Sequence, residues 1–192
     1  FELGGHALFL TGDQPQLNRG ETIRDSAQVL SRYLNGILIR TYDHQEVVAL
    51  AEHASIPVIN GLTDFNHPLQ ILSDIFTIKE KLGHIEGVKV AYVGDGNNVA
   101  YSWMTGASLM GMNLVIACPK SLKPNPAPGL GDHGNVEIVE DPFEAVQNAD
   151  VIYTDVWISM GDEEDTEIKK KLLLPYQINQ KLVDSAKKDV LV

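Results

Sequence analysis

Residues 67–70 combine polar side chains with a predicted helix start, an arrangement that could bind an anion or a polarised carbonyl. Their sequence is His-Pro-Leu-Gln, and apolar residues recur at helical spacing over residues 71–82. Pro68 suits the first helical position because its φ is already fixed and it has no N–H to leave unpaired. The start of a helix carries unpaired N–H groups and partial positive charge, and His67 and Gln70 can reach a ligand bound there. The alternative is an ordinary helix cap with a histidine on the surface.

A second polar segment, residues 94–98, lies between an apolar run and a helical pattern. Its sequence, Gly-Asp-Gly-Asn-Asn, meets the first part of a dinucleotide-binding motif. That motif needs a third glycine, where this chain has Val99, and an acidic residue after the next strand, where Cys118 stands instead. NAD binding, and with it an oxidoreductase function, is therefore not favoured. A polar turn that needs tight backbone geometry is the other interpretation.

Asp155 and Arg40 each stand at the carboxyl end of a predicted strand. A carboxylate in that place can pair with a substrate ammonium, and Ser159 could add a hydrogen bond. A guanidinium can form two hydrogen bonds to a phosphate or carbonyl oxygen. The alternatives are a helix N-cap for Asp155 and a solvated loop side chain for Arg40. Met160, next to Ser159, could contact the same ligand or could simply pack against the protein.

The elements that must position these residues alternate between apolar runs and helical patterns, which predicts parallel α/β sheets. The predicted strands are residues 6–10, 37–40, 57–60, 88–93, 114–117, 136–139 and 151–154, with another beginning at 190–192. The predicted helices are residues 22–34, with a capping box at Thr22 and Asp25, then 46–53, 68–82, 98–111, 142–148, 166–173 and 178–187. Residues 119–134 read as a Pro/Gly-rich loop. The first helix should bury Ile23, Ala27, Leu30 and Leu34, and the 68–82 helix should bury Ile71, Leu72, Ile75, Phe76, Ile78 and Leu82.

These elements predict two open parallel-sheet α/β lobes, the second Rossmann-like, with ligands at the carboxyl ends of the strands. We place the domain boundary near residue 85, which gives domains of residues 1–84 and 85–192.

Composition excludes several function classes. The net charge of −11 argues against nucleic acid or an anionic membrane as a partner. The single cysteine, Cys118, rules out an internal disulfide framework and fits a reducing cytoplasm. No apolar run reaches the roughly 18 residues of a membrane span. The histidines show no metal-ligand spacing, so we predict no metal site.

Three of these segments, in order along the chain, resemble the aspartate/ornithine carbamoyltransferase family. Asn60-Gly61-Leu62-Thr63-Asp64 followed by His67-Pro68-x-Gln70 is similar to its carbamoyl-phosphate motif. Residues 94–99 and 153–161 resemble the ornithine branch, and the resemblance covers nearly the whole chain. The Ser-Met-Gly run at 159–161 points to ornithine, since aspartate transcarbamylases need a basic residue in this region.

The resemblance implies attack of the δ-amino group of L-ornithine on carbamoyl phosphate, giving citrulline and phosphate without a cofactor. It assigns the carbamoyl group to four residues, namely Gln16, Arg40, His67 and Gln70. It assigns ornithine to four others, namely Asn98, Asp155, Ser159 and Met160. The catalytic residues among these are Arg40, His67 and Asp155. The family also implies a cytoplasmic homotrimer in arginine biosynthesis or the urea cycle, with the Gln16 loop reaching a neighbouring subunit.

The resemblance places two family segments outside the chain, Ser-Thr-Arg-Thr-Arg just before Phe1 and His-Cys-Leu-Pro just after Val192. The first supplies phosphate-binding N–H groups and an arginine, and each charged hydrogen bond contributes about 1.5–3 kcal/mol. We therefore expect a chain without these two segments, truncated at both ends relative to the family, to be a poor or inactive catalyst. The alternative function is a relative that binds a basic amino acid without catalysis.

Overall fold

The computed structural model describes residue 2 and residues 4–10, 21–124, 135–158 and 166–192. It divides into two compact units, Phe1–Gly61 and Leu62–Val192. The helices are α1 (Ile23–Tyr33), α2 (His44–His53), α3 (Pro68–Leu82), α4 (Asn98–Met110), α5 (Pro142–Val146), α6 (Thr166–Leu173) and α7 (Gln180–Val183). The strands are β1 (Ile37–Arg40), β2 (Val58–Leu62), β3 (Lys89–Val93), β4 (Asn113–Ala117), β5 (Val136–Val139) and β6 (Val151–Tyr153). Within these described ranges, no helix is long and apolar enough to cross a membrane.

The first unit pairs β1 with β2 and packs α1 against α2. The N-cap half of the predicted capping box is confirmed, because Thr22 Oγ1 accepts from the Asp25 N–H at 3.1 Å. The Asp25 carboxylate accepts from the Thr22 hydroxyl at 2.8 Å. Of the predicted core face of α1, Ala27 is buried, whereas Ile23 is 39% exposed because it lies in the first turn. The burial expected for Ile23 is therefore wrong.

The second unit contains a four-stranded parallel sheet with the order β5-β4-β3-β6. Alternate residues of β3 point into two separate cores, Val90 and Tyr92 into one, Ala91 and Val93 into the other. Helices α3 and α4 contribute to the first core, and α5, α6 and α7 to the second. A parallel sheet with both faces buried confirms the predicted α/β class. Counted from β3, the strand order is 3-2-1-4, that of the first four strands of a Rossmann sheet.

Helix α3 has the predicted bounds, and it packs closely on α4. A Cβ added at Gly106 of α4 would lie 2.8 Å from Cγ2 of Ile71, so the glycine permits the close approach. Ile71, Ile75 and Ile78 of α3 are buried, but Leu72 and Phe76 are 56% and 59% exposed. The expected core face was therefore too wide, because the buried residues of α3 lie on the one stripe that packs with α4 in the first core. This packing places α3 in the second compact unit, while the predicted domain boundary at residues 84/85 stays a prediction.

Four predicted segments differ from the structure. Residues 6–10 belong to neither sheet of the described chain, and Leu8 and Phe9 are 72% and 87% exposed. An apolar run becomes a strand only where a partner strand hydrogen-bonds to it. The helix predicted over 178–187 is limited to α7, and residues 190–192 contribute one bridge, Leu191 to Val151. Of the loop predicted at 119–134, residues 120–122 form a 3-10 turn, and residues 125–134 lie outside the described part.

Cys118 at the end of β4 is expected to be chemically inert in the folded protein. Its side chain is fully buried, and burial raises the pKa of the thiol to about 11. Because the thiolate is the reactive species, little of it is present at pH 8. Iodoacetamide should therefore label Cys118 only after unfolding, as mapped by peptide mass spectrometry. Rapid labelling of this peptide in native protein would contradict the expectation.

Candidate functional site

The candidate site lies at the carboxyl ends of β3 and β6, which are neighbours in the sheet. From β3 the chain proceeds to β4 and β5 on one side, and then returns to β6 on the other. The strand order thus reverses between β3 and β6, and ligands of open α/β sheets bind at such a point. Residues 94–98 follow β3, and Asp155 lies two residues after β6.

The turn after β3 needs a glycine at position 96 for reasons of packing. The Gly96 N–H donates to the carbonyl oxygen of Leu122 at 3.1 Å. A Cβ at position 96 would lie 2.1 Å from that oxygen and 2.6 Å from the nitrogen of Pro124. The backbone at 122–124 therefore fixes the path of the chain into α4. The glycine spacing that suggested a dinucleotide motif thus has a structural explanation.

Asn97 caps α4 and orients Asp155. Its Oδ1 accepts from the N–H groups of Val99 and Ala100 at 3.0 and 3.1 Å, and from the Tyr92 hydroxyl at 3.1 Å. With three donors on Oδ1, Nδ2 must face the other way, and it donates to Asp155 Oδ2 at 2.9 Å. Burial, together with nearby carboxylates including Asp155, raises the pKa of Tyr92 well above its usual value, so its hydroxyl remains a donor.

Asp155 is half-buried and holds this position as a hydrogen-bond acceptor. Residues 154–158 contain no helix start, so the N-cap alternative does not apply within that stretch. Asp95, in the turn two residues after β3, forms an ion pair with Lys169 of α6 at 2.7 Å, and their side chains are only 6% and 13% exposed. This pair ties α6 to the turn that carries Asn97.

Asn98 connects α4 to the segment before α3. Its Nδ2 donates to the carbonyl oxygen of Thr63 at 2.8 Å. The Ser102 hydroxyl donates to the Asn98 carbonyl and accepts from the His67 N–H, both at 2.7 Å. An amide nitrogen carries two hydrogens, so Asn98 can hold Thr63 and still donate to a ligand carboxylate.

A pocket of about 200 Å³ opens beside these residues. Its lining consists of Asp64, Phe65, Gly96, Asn97, Asn98, Tyr101 and Pro124. The rings of Phe65 and Tyr101 are 4.4 Å apart and form its aromatic wall. The volume is below the ~300–1,000 Å³ of sites for drug-sized ligands, which suits a small metabolite.

The start of α3 has the predicted arrangement, with His67 at the N-cap and Pro68 in the first turn. Gln70 is exposed, and its Nε2 donates to Asp74 one turn further on. Asp74 therefore holds the NH2 end of the Gln70 amide, and this amide lies next to the start of α3.

The structure brings three predicted site residues into two hydrogen-bonded groups of the second unit, which adjoin at the start of α4. The backbone groups of His67 and Asn98 are joined through the Ser102 hydroxyl, and Asp155 is bound to the side chain of Asn97, the residue before Asn98. Arg40 is the exposed last residue of β1 in the first unit. Gln16, Ser159 and Met160 lie outside the described residues. The roles assigned to all eight residues, Gln70 included, remain predictions.

Sequence reasoning missed Asn97 and Ser102 as supporting residues. For Asn97 a signal existed, because asparagine directly before a helix is a preferred N-cap. For Ser102 none existed, because a serine inside an amphipathic helix has no pattern that reveals a partner 35 residues away.

Replacing Ser102 with alanine is expected to lower the free energy of unfolding by about 1–3 kcal/mol, because the His67 N–H loses its acceptor. Ser108→Ala is the matched control, since Ser108 is partly buried on the same helix and gains the same helix propensity. Urea unfolding of the two variants measures the difference. Equal midpoints would contradict the importance of the Ser102 bridge.

No group of three or more His, Cys, Asp or Glu side chains that could hold a metal ion occurs in the part of the chain that the structure covers.

Comparison with known proteins agrees with the family resemblance of the sequence motifs. Residues 1–80 match the family model described as aspartate/ornithine carbamoyltransferase, carbamoyl-P binding domain. Residues 86–192 match the model described as aspartate/ornithine carbamoyltransferase, Asp/Orn binding domain. A curated ornithine carbamoyltransferase of Syntrophus aciditrophicus (strain SB) is 52% identical over 198 residues, covering 100% of this chain and 65% of that protein.

Solved structures of ornithine carbamoyltransferases also resemble this chain over nearly its whole length. The ornithine carbamoyltransferase of Pyrococcus furiosus has a TM-score of 0.89 at 50% identity, over 98% of this chain and 62% of that one. The anabolic ornithine carbamoyltransferase of Campylobacter jejuni has a TM-score of 0.89 at 37% identity, over 98% of this chain and 65% of that one. The chain thus spans less than two thirds of the length of these relatives. On the two matched domain models and these identities, the chain belongs to the aspartate/ornithine carbamoyltransferase family.

Proposed function

We propose that the protein containing this chain transfers the carbamoyl group of carbamoyl phosphate to the δ-amino group of L-ornithine, giving citrulline and phosphate. The observation that carries the proposal is a pair of hydrogen-bonded groups, His67 with Asn98 and Asp155 with Asn97, that adjoin at the start of α4, where the strand order reverses. Each of these residues lies in a segment that resembles the ornithine branch of the family. The relatives reported above bear the name of this activity.

The ornithine half of the site is proposed to use Asn98 and Asp155. Asp155 would pair with the α-ammonium group, and the second Nδ2 hydrogen of Asn98 would donate to the α-carboxylate. Ser159 and Met160 are assigned to the same ligand on the resemblance. Asn97 supports this half because it fixes the direction of the Asp155 carboxylate.

The carbamoyl half is proposed to use the start of α3. His67 and Arg40 would polarise the carbonyl oxygen, and Gln70 would accept a hydrogen bond from the carbamoyl NH2. The assignments of Arg40 and Gln16 rest on the resemblance. The position of His67 and Gln70 at a helix N-terminus supports theirs, because N–H groups there favour a developing negative charge.

The proposed reaction is direct and needs no metal or organic cofactor. The δ-amino group, with a pKa near ~10, first loses a proton so that its lone pair can attack the carbonyl carbon. The C–N bond forms, the carbonyl becomes a tetrahedral oxyanion, and the bond to the phosphate oxygen then breaks to release phosphate. The nitrogen loses its second proton as citrulline forms. Most of the rate would come from juxtaposing two bound substrates and from fixed donors at the oxyanion.

From the resemblance we also propose a cytoplasmic homotrimer in arginine biosynthesis or the urea cycle, without nucleic-acid or membrane partners. We keep the domain boundary between residues 84 and 85, which is supported by the matched ranges 1–80 and 86–192. Sedimentation equilibrium of the full-length protein tests the trimer, and a monomer mass would reject it.

The assay that tests the proposed function measures citrulline formed by the full-length protein from carbamoyl phosphate and L-ornithine. L-Aspartate is the control acceptor, and we expect its carbamoylation to be negligible. Binding of ornithine without turnover would instead support the binding-only alternative, which the family matches do not favour. Preferred use of aspartate would reject the assignment of the acceptor.

A further inference from the structure

A carboxylate on α3 connects Gln70 to the sheet of the second unit. Gln70 Nε2 lies 3.1 and 3.2 Å from Oδ1 and Oδ2 of Asp74. Asp74 Oδ2 also accepts a hydrogen bond of 2.8 Å from the Tyr153 hydroxyl. Tyr153 is the last residue of β6, two residues before Asp155. One carboxylate therefore joins the residue assigned to the carbamoyl group to the strand that leads to the residue assigned to ornithine.

The Tyr153 hydroxyl is held in a fixed place by its ring. The ring packs edge-on against Trp103 with centroids 5.1 Å apart, and it stacks on Tyr92 at 5.9 Å. Both of those side chains are fully buried. Burial, reinforced by the hydrogen bond to Asp74, raises the pKa of Tyr153, so the hydroxyl keeps its proton. It is therefore a rigid donor to Asp74.

Asp74 in turn selects the orientation of the Gln70 amide. A glutamine amide has a donor NH2 at one end and an acceptor oxygen at the other, and an ionised carboxylate can only accept. The Gln70 NH2 must therefore face Asp74, and Oε1 is turned away from it. A carbamoyl NH2 is a donor, so it needs an acceptor such as Oε1.

We propose that Asp74, held by Tyr153, is a positioning residue that keeps Gln70 Oε1 presented to the carbamoyl NH2 of the substrate. The inference rests on the proposed function, in which Gln70 contacts that group. A Gln–Asp pair one turn apart is a common feature of helix surfaces. The bond from Tyr153, 79 positions away in the sequence, distinguishes this pair from an ordinary surface pair.

The test replaces Asp74 with asparagine in the full-length protein. Asparagine offers a single acceptor oxygen to both Tyr153 and Gln70, so Gln70 is free to turn its NH2 towards the ligand. We expect the KM for carbamoyl phosphate to rise about 10-fold, the size of one lost hydrogen bond, with the KM for ornithine within about twofold. Glu80→Gln is the matched control, because it removes the same charge from an exposed site on the same helix.

A second set of variants separates positioning from a structural role. In a Gln70→Ala background, Asp74→Asn should change the KM for carbamoyl phosphate no further, whereas a structural role would add its full effect. Tyr153→Phe keeps the ring and should give a smaller change in the same direction, and it carries the test if Asp74→Asn does not fold. The inference is overturned if the variants are active and their KM for carbamoyl phosphate is unchanged. A wild-type protein that forms no citrulline rejects the proposed function, and the inference with it.

Discussion

Replacing Asn97 with aspartate is expected to lower kcat/KM for ornithine about 100-fold. The substitution exchanges the amide that donates to Asp155 at 2.9 Å for a second carboxylate. Two like charges about 4 Å apart repel by about 4 kcal/mol at the effective dielectric constant near a protein surface. Solvent screening of the half-buried Asp155 reduces this energy, and each 1.4 kcal/mol that remains corresponds to a factor of ten.

The fold should survive this change, because aspartate is as good an N-cap as asparagine. Asn97→Ser is the control, since it also caps α4 but adds no charge; we expect about a 10-fold loss from the missing donor. Steady-state kinetics with ornithine, together with thermal unfolding of each variant, measures both effects. If aspartate and serine at position 97 had equal activity, the Asn97 amide would have no part in orienting Asp155.

Replacing Gly96 with alanine is expected to destabilise the protein by about 3 kcal/mol, at the upper end of the usual cost of overpacking. The new Cβ would lie 2.1 Å from the Leu122 carbonyl oxygen and 2.6 Å from the Cδ and nitrogen of Pro124. These are backbone and ring atoms, which cannot move aside as a flexible side chain does. The turn must therefore shift, and Asn97 and Asn98 shift with it, so we also expect weaker ornithine binding.

Gly36→Ala is the matched control. Its Cβ would lie 3.7 Å from the Pro57 carbonyl oxygen, an ordinary contact, and its φ is not positive. Alanine there should be neutral or stabilising by up to about 1 kcal/mol, because it restricts the unfolded chain. Thermal unfolding followed by far-ultraviolet circular dichroism compares the two. Equal melting temperatures would contradict the close approach described at Gly96.

Much of the fold could be predicted from the spacing of apolar residues, because that spacing is regular in the helices and strands that pack against the core. Helix α3, strand β5 and helix α6 have the predicted bounds. The predictions fail where packing decides instead of pattern. Residues 6–10 have the composition of a strand but no partner strand among the described residues, and Leu72 lies on the apolar stripe of α3 beyond the reach of α4.

The site could be predicted in part, because His67, Asn98 and Asp155 each follow a recognisable helix or strand boundary. The supporting side chains could not, because their partners are brought close only by the fold. Tyr92 reads as a core residue of a buried strand, yet its hydroxyl fixes the amide of Asn97. Tyr153 likewise reads as strand interior, although it holds a carboxylate on a helix far away in the sequence.

The central claim, that Asn98 and Asp155 in the second unit bind the amino-acid end of ornithine, is tested most directly by a crystal structure of the full-length protein with a bisubstrate analogue. We would use δ-N-(phosphonoacetyl)-L-ornithine, which joins mimics of the two substrates. The prediction is an α-carboxylate within about 3.2 Å of Asn98 Nδ2 and an α-ammonium group within the same distance of the Asp155 carboxylate. An analogue that binds with its amino-acid end away from both residues would contradict the claim.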